Sequence, residues 1–261
     1  MKVPTGWHEV KLYQFKELRE LKENAGFFNT QIETLAILLD VPSDDVEDFS
    51  LLEIGELFKS VKWVLSEPKK VHVDEVEIDG QTYALKPFKK LTLDEFIDLN
   101  FFLTNDYLKH ISHIVSVFYR RTKTDEWGNI EFEPYVFNPF DVFDKFDDLN
   151  VTQVYGLIPE FLKWRDDFLK KYENLFNQDS DEDLEEELDV KDFDSLAAYK
   201  EELKAQEQAK KSKKWGWESL LFDLCEGDLT KIKAVGELPL IFVFNMLSMR
   251  KEMGYLDSFK G

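Results

Sequence analysis

The stretch Val71-His72-Val73-Asp74-Glu75-Val76-Glu77-Ile78-Asp79-Gly80-Gln81-Thr82-Tyr83-Ala84-Leu85 decides the fold class. Val71, Val73, Val76 and Ile78 are strand formers, and Asp79-Gly80 is the dipeptide of a two-residue hairpin turn, so Gln81 to Leu85 returns as the partner strand. On both sides of this stretch the apolar residues recur at helical spacing instead. The expected fold is therefore mainly α with one or two small β-hairpins, an α+β chain.

Upstream, Trp7 to Leu65 reads as helices. Phe15, Leu18 and Leu21 begin an amphipathic pattern that Ala25-Gly26 ends, and Ile32, Leu35, Ala36, Leu38 and Leu39 form a second. Val41-Pro42-Ser43 breaks that helix, with Ser43 as the expected cap of the next and Asp44 and Asp45 beside its positive dipole end. Ser50 with Glu53 makes a capping box, and Leu51, Ile54, Leu57, Phe58, Val61 and Leu65 form one stripe that Pro68 closes.

Downstream, Thr92 and Glu95 cap a helix through Leu93, Phe96, Ile97 and Leu99. An apolar helix is expected from Tyr107 to Tyr119, with Arg120-Arg121 at its negative dipole end. Trp127-Gly128-Asn129 predicts a second turn, with Ile130, Phe132 and Tyr135 as strand residues. Asn150 is expected to cap one long helix, from Val154 to Tyr172, kinked at Pro159.

Residues 177–194 contain ten carboxylates and one lysine, about half of the chain's net charge of -20. Like charges at that density favour an extended, solvated linker. Residues 195–214 are rich in Ala, Glu, Gln and Lys, which predicts an exposed connecting helix. The expected organisation is a mainly helical domain over 1–176 with a β-hairpin near 70–86, an acidic linker over 177–194, the connecting helix over 195–214, and a small helical module over 215–261.

The 261 residues are 43% hydrophobic and 15% aromatic, which excludes global disorder. The acidity argues against direct nucleic-acid binding, since phosphate neutralisation needs a basic face. Cys225 is the single cysteine, so an internal disulfide is excluded and a reducing compartment is expected. No signal peptide is read at Met1 to Gly6, and the most apolar stretch, Leu238 to Leu247, is too short to span a membrane. A soluble, intracellular protein is expected, with no membrane contact.

His110 and His113 share a helix face, a spacing that can serve a metal, yet only Asp106 is near as a third ligand and a buried structural pair is the better reading. The run Asp179-Ser180-Asp181-Glu182-Asp183 resembles the start of a calcium loop but fails at Leu184 and Val190, where glycine and glutamate are required. Cys225 lacks a nearby base and reads as a buried thiol. No GxSxG, phosphate-loop, GxGxxG or HExxH pattern is present. No catalytic residue, metal or cofactor is therefore assigned. The aromatics carry more information: 23 Phe, many at breaks between helices. Core packing is the plain reading. The alternative is a partner interface, for which Trp215, Trp217, Phe140 and Phe143 are the candidates.

The tail contains Trp215-Gly216-Trp217-Glu218, Leu220, Leu221, Leu224, Gly227-Asp228, Lys231, Leu238-Pro239-Leu240, Asn245 and Leu247. This layout resembles small helical modules in proteins encoded among the virion genes of tailed bacteriophages, including the crAss-like group, and the N-terminal part, with Tyr83-Ala84-Leu85 and Leu91-Thr92-Leu93-Asp94-Glu95-Phe96, is similar in style. The resemblance covers about two thirds of the chain and has no diagnostic motif. It implies a non-enzymatic virion structural or assembly protein, located in the virion or in the host cytoplasm during assembly. Its partners would be other phage virion or assembly proteins within a larger, oligomeric assembly. A tail assembly chaperone absent from the mature particle, a cytosolic adaptor, and a carboxylate enzyme on the His110–His113 face are the alternatives.

Overall fold

A computed structural model describes residues 3–21, 27–104, 107–128, 130–135, 144–176 and 216–254. The chain forms two compact units. Unit 1 holds residues 1–88 and 98–164, and unit 2 holds 89–97 and 165–261.

Unit 1 opens with helices α1 (Leu12–Leu21), α2 (Phe27–Leu39), α3 (Ser43–Glu47) and α4 (Leu51–Ser60). Each boundary has a local cause. Asp40 takes a left-handed φ of 55°, and the Val41 amide reaches back to the Ala36 carbonyl at 3.1 Å, which seals the end of α2 before Pro42. Ser43 is the first residue of α3 rather than its cap; Pro42 occupies the cap position without a side-chain bond. The Ser50–Glu53 capping box at α4 is present as expected. The predicted stripe beyond it is cut short, because α4 ends at Ser60 and a 3-10 turn spans Lys62–Leu65. Leu65 accordingly stands in solvent, 68% exposed, and Leu51, at the start of α4, is 72% exposed.

The quoted stretch forms β1 (Glu75–Ile78) and β2 (Gln81–Leu85), with Asp79 and Gly80 at φ 51° and 69° in the mirror-image turn. Val76, Ile78 and Tyr83 are buried while Glu75 and Glu77 face solvent, the period-2 alternation of a half-buried strand. Helix α6 (Tyr107–Phe118) runs directly into β3 (Tyr119–Thr124), which returns as β4 (Ile130–Phe132). Arg120 and Arg121 therefore lie on a strand, not at a helix end. The two hairpins join through β2–β3 into one antiparallel sheet of order β1-β2-β3-β4, with Tyr83 opposite Arg121 and Ala84 opposite Arg120.

Asn150 caps only α7 (Val151–Val154). The expected long helix is interrupted at Tyr155 and Gly156, and α8 (Leu157–Lys171) starts afresh. Pro159 thus falls in the first turn of α8, where its missing N–H costs nothing and no kink is needed. The N-terminal strand-like segment is tied down nearby: the Leu12 amide donates to Leu149 O and the Val151 amide to Val10 O, both at 2.9 Å. Trp7 meets Phe15 and Trp63 edge-on, with ring centroids 5.7 and 5.2 Å apart.

Unit 2 is organised around helix α12 (Leu240–Glu252), with α9 (Glu173–Phe176), a helix α10 over 216–224, and α11 (Ile232–Gly236). Helix α5 (Leu93–Thr104) gives unit 2 its first turn. The Leu93 amide donates to Leu238 O at 3.0 Å and the Leu240 amide to Leu91 O at 2.9 Å, so the Leu238-Pro239 segment runs antiparallel to Leu91–Leu93. Residues 89–97 and 165–176 thereby pack with the C-terminal helices, a different grouping from the expected 1–176 domain. The expected linker and connecting helix lie outside the described residues.

Candidate functional site

Helix α10 ends where Glu226 and Gly227 both adopt left-handed φ, 55° and 73°. The Gly227 amide reaches the Phe222 carbonyl five residues back at 3.1 Å, the closing bond of a glycine-terminated helix. Asp228 then accepts from the Thr230 amide at 3.0 Å and its hydroxyl at 2.7 Å, starting the next turn. These bonds hold the Asp228 carboxyl below its ordinary range. The layout read from the tail is therefore built by short-range bonds.

What this frame positions is α12. Leu240, Val243, Phe244 and Leu247 are buried on one side. Phe244 meets Phe168 at 4.9 Å, Tyr172 at 5.2 Å, Trp217 at 6.2 Å and Phe96 at 6.4 Å between ring centroids. The opposite side is apolar too. Phe242, Met246 and Met249 are 51, 38 and 43% exposed, and Met253, just past the helix end, is 58% exposed. Their 4-3-4 spacing places them in a single stripe. Large apolar residues exposed in a stripe opposite a buried face are the kind of surface that contacts use. Methionine gives such a surface an adaptable shape.

The residues singled out from sequence fare differently. Trp217 is half-buried and packs edge-on against Phe96 at 5.0 Å, inside the cluster beneath α12. Trp215, Phe140 and Phe143 lie outside the described residues, as does the calcium-like run. The α12 stripe was missed by the sequence reading. Its signal lay within and just beyond the stretch recognised only as the most apolar, and recognising it required asking which of two apolar faces the core would take.

His110 and His113 come close in unit 1, with ring centroids 5.8 Å apart and Phe102 beside both, at 5.2 and 5.3 Å. Burial foremost, then His110 and Lys16, push the His113 pKa down, while Asp147 opposes them. Asp147 forms an ion pair with Lys16 at 2.7 Å and accepts from the Ser112 hydroxyl. Among the described residues, no group of three histidine, cysteine or carboxylate side chains gathers to hold a metal. Cys225 is buried and desolvation pushes its thiol up, the opposite of an activated nucleophile. Among the described residues, no helix is long and apolar enough to cross a membrane. No family model, curated protein or solved structure matches this chain.

Proposed function

We propose that the protein is a non-enzymatic structural or assembly component of a tailed bacteriophage, working by docking another virion or assembly protein along the outer face of α12. The observation that carries the docking is the Phe242–Met246–Met249–Met253 stripe, an exposed apolar face on a helix whose other face is already buried. The fitting partner element is an amphipathic helix or an apolar strip that lies along α12 and takes these side chains as anchors. The net charge of -20 supports a role in assembly, since self-repulsion keeps copies with an exposed apolar stripe apart until the partner arrives. The phage setting comes from the layout of the tail module.

Purified particles of the phage that encodes the chain test the setting, by mass spectrometric counting of copies. A fixed number per particle is the expected result. Presence only in assembly intermediates makes the protein a chaperone, and absence from both overturns the phage setting. The docking itself is tested with the double substitution Met246→Glu and Met249→Glu. Both positions are exposed, so the melting temperature should hold while co-purification with the virion partner is lost. Retained co-purification would remove α12 as the docking face.

A further inference from the structure

In a chain where carboxylates outnumber cations 53 to 33, a cavity of about 290 Å³ in unit 1 has the opposite character. It is lined by Tyr83, Ser116, Tyr119, Arg120, Arg121, Glu133, Lys145 and Phe146. Three of these are cations and one is a carboxylate. That carboxylate, Glu133, also faces Lys123 at 3.9 Å.

Arg121 and Lys145 are oriented by groups that carry no charge, and Arg120 lies beside Arg121 on the same strand. Arg120 donates through Nη2 to the backbone carbonyls of Glu133, at 2.9 Å, and Pro134, and lies over the Tyr135 ring. Arg121 donates through Nε to the Tyr83 hydroxyl at 3.1 Å, and its guanidinium lies 5.5 Å from the centre of the same ring. Lys145 Nζ lies 5.3 Å from the ring centres of both Tyr83 and Phe146. Carbonyls, phenols and ring faces orient a cation without neutralising it. Among the described residues, neither Arg121 nor Lys145 forms an ion pair with a carboxylate. The scaffold beneath them is firm: Tyr83, Ser116, Tyr119 and Phe146 are all buried. Tyr119 is anchored by its hydroxyl to Val73 O at 2.7 Å.

Cations gathered in one cavity repel one another, and an anion seated among them would relieve that repulsion, so the arrangement points to an anion site. The excess of two positive charges matches a dianion better than a single carboxylate. Planar guanidinium forks beside a mobile ammonium suit phosphoryl oxygens in particular. We propose that this cavity, between β2, β3 and the Lys145-Phe146 turn, binds the phosphoryl group of a small phosphorylated ligand or phosphate itself. The site is independent of the α12 face and stands or falls separately.

The test is titration of the full-length protein at low ionic strength, followed by calorimetry and by phosphorus NMR. Inorganic phosphate and phenyl phosphate are the probes, with acetate as the monoanionic control. Saturable phosphate binding, at least about tenfold tighter than acetate, is expected, because a second charge faces the same cations. If phenyl phosphate binds more tightly than phosphate, the ligand is an organic phosphoester; if equally, the site takes the bare anion. Arg121→Gln and Lys145→Gln, both at exposed positions, should each weaken binding and together abolish it. Circular dichroism checks that both variants stay folded. No saturation with either phosphate, equal affinity for acetate, or unchanged affinity in the folded double variant would each overturn the proposal.

Discussion

Beneath α12, ring meets ring: Phe96, Phe168, Tyr172, Trp217 and Phe244 form a cluster joined by edge and tilted contacts, and at its margin the Tyr172 hydroxyl donates to Asn245 at 2.7 Å. In unit 1 rings are also plentiful, but charges run between them. Arg19 reaches Glu67 at 2.6 Å and lies over Phe15, Lys16 reaches Asp147, and Arg121 and Lys145 share Tyr83. The difference teaches that an aromatic-rich sequence does not specify what its aromatics are for. A ring closed in by other rings is core, whereas a ring closed in by cations becomes a charged wall. Unit 2 should accordingly respond to lost volume and hardly to salt or pH. Unit 1 should respond to all three.

The largest break in that comparison comes from Phe244→Ala. Phe244 is fully buried among four aromatic partners, and its loss should cost about 3–5 kcal/mol. Hydrogen exchange of the α12 amides would measure this, with the same loss at low and high salt. Salt dependence would show that charge supports unit 2 after all. Next in size is Asp147→Ala in unit 1, which strands the three-quarters-buried Lys16 ammonium and the Ser112 hydroxyl. Because the pair is partly hydrated, about 1–2 kcal/mol is expected, less in high salt, read from exchange of the α1 and α6 amides.

The smallest effect is a pH response centred on His113. Its pKa in the folded protein lies below the ordinary histidine value, so above roughly pH 6.5 both folded and unfolded forms are neutral there and its contribution to stability is flat. As pH falls below that value, the unfolded chain takes up a proton that the folded one refuses, and stability declines until the folded pKa is passed. His113→Gln should flatten the melting temperature over that interval and leave it unchanged at pH 8. A variant that declines as steeply as the parent would move the acid sensitivity of unit 1 to other groups.

Much of the chain was legible without coordinates wherever a feature closes within a few residues. The Ser50–Glu53 box, the Asp79-Gly80 turn and the Gly227-Asp228 break all formed where expected, because donor, acceptor and backbone conformation lie side by side in sequence. Misreadings arose where a local rule met a competing neighbour. Arg120 and Arg121 suit a helix C-terminus, yet pairing with β2 carried them into a strand. Leu65 fits a helical stripe, yet a 3-10 turn ended the helix before the stripe was complete.

The amino-acid sequence by itself determined the mixed fold class, the caps and turns, and the acidity, since these depend on composition and on contacts a few residues long. Only the tertiary structure decided that the two hairpins form one sheet. It also decided which face of α12 is covered, and that Arg121 and Lys145, distant in sequence, both meet Tyr83. Those outcomes require distant segments to meet, and the free energy that selects them comes from packing and pairing that no local pattern encodes.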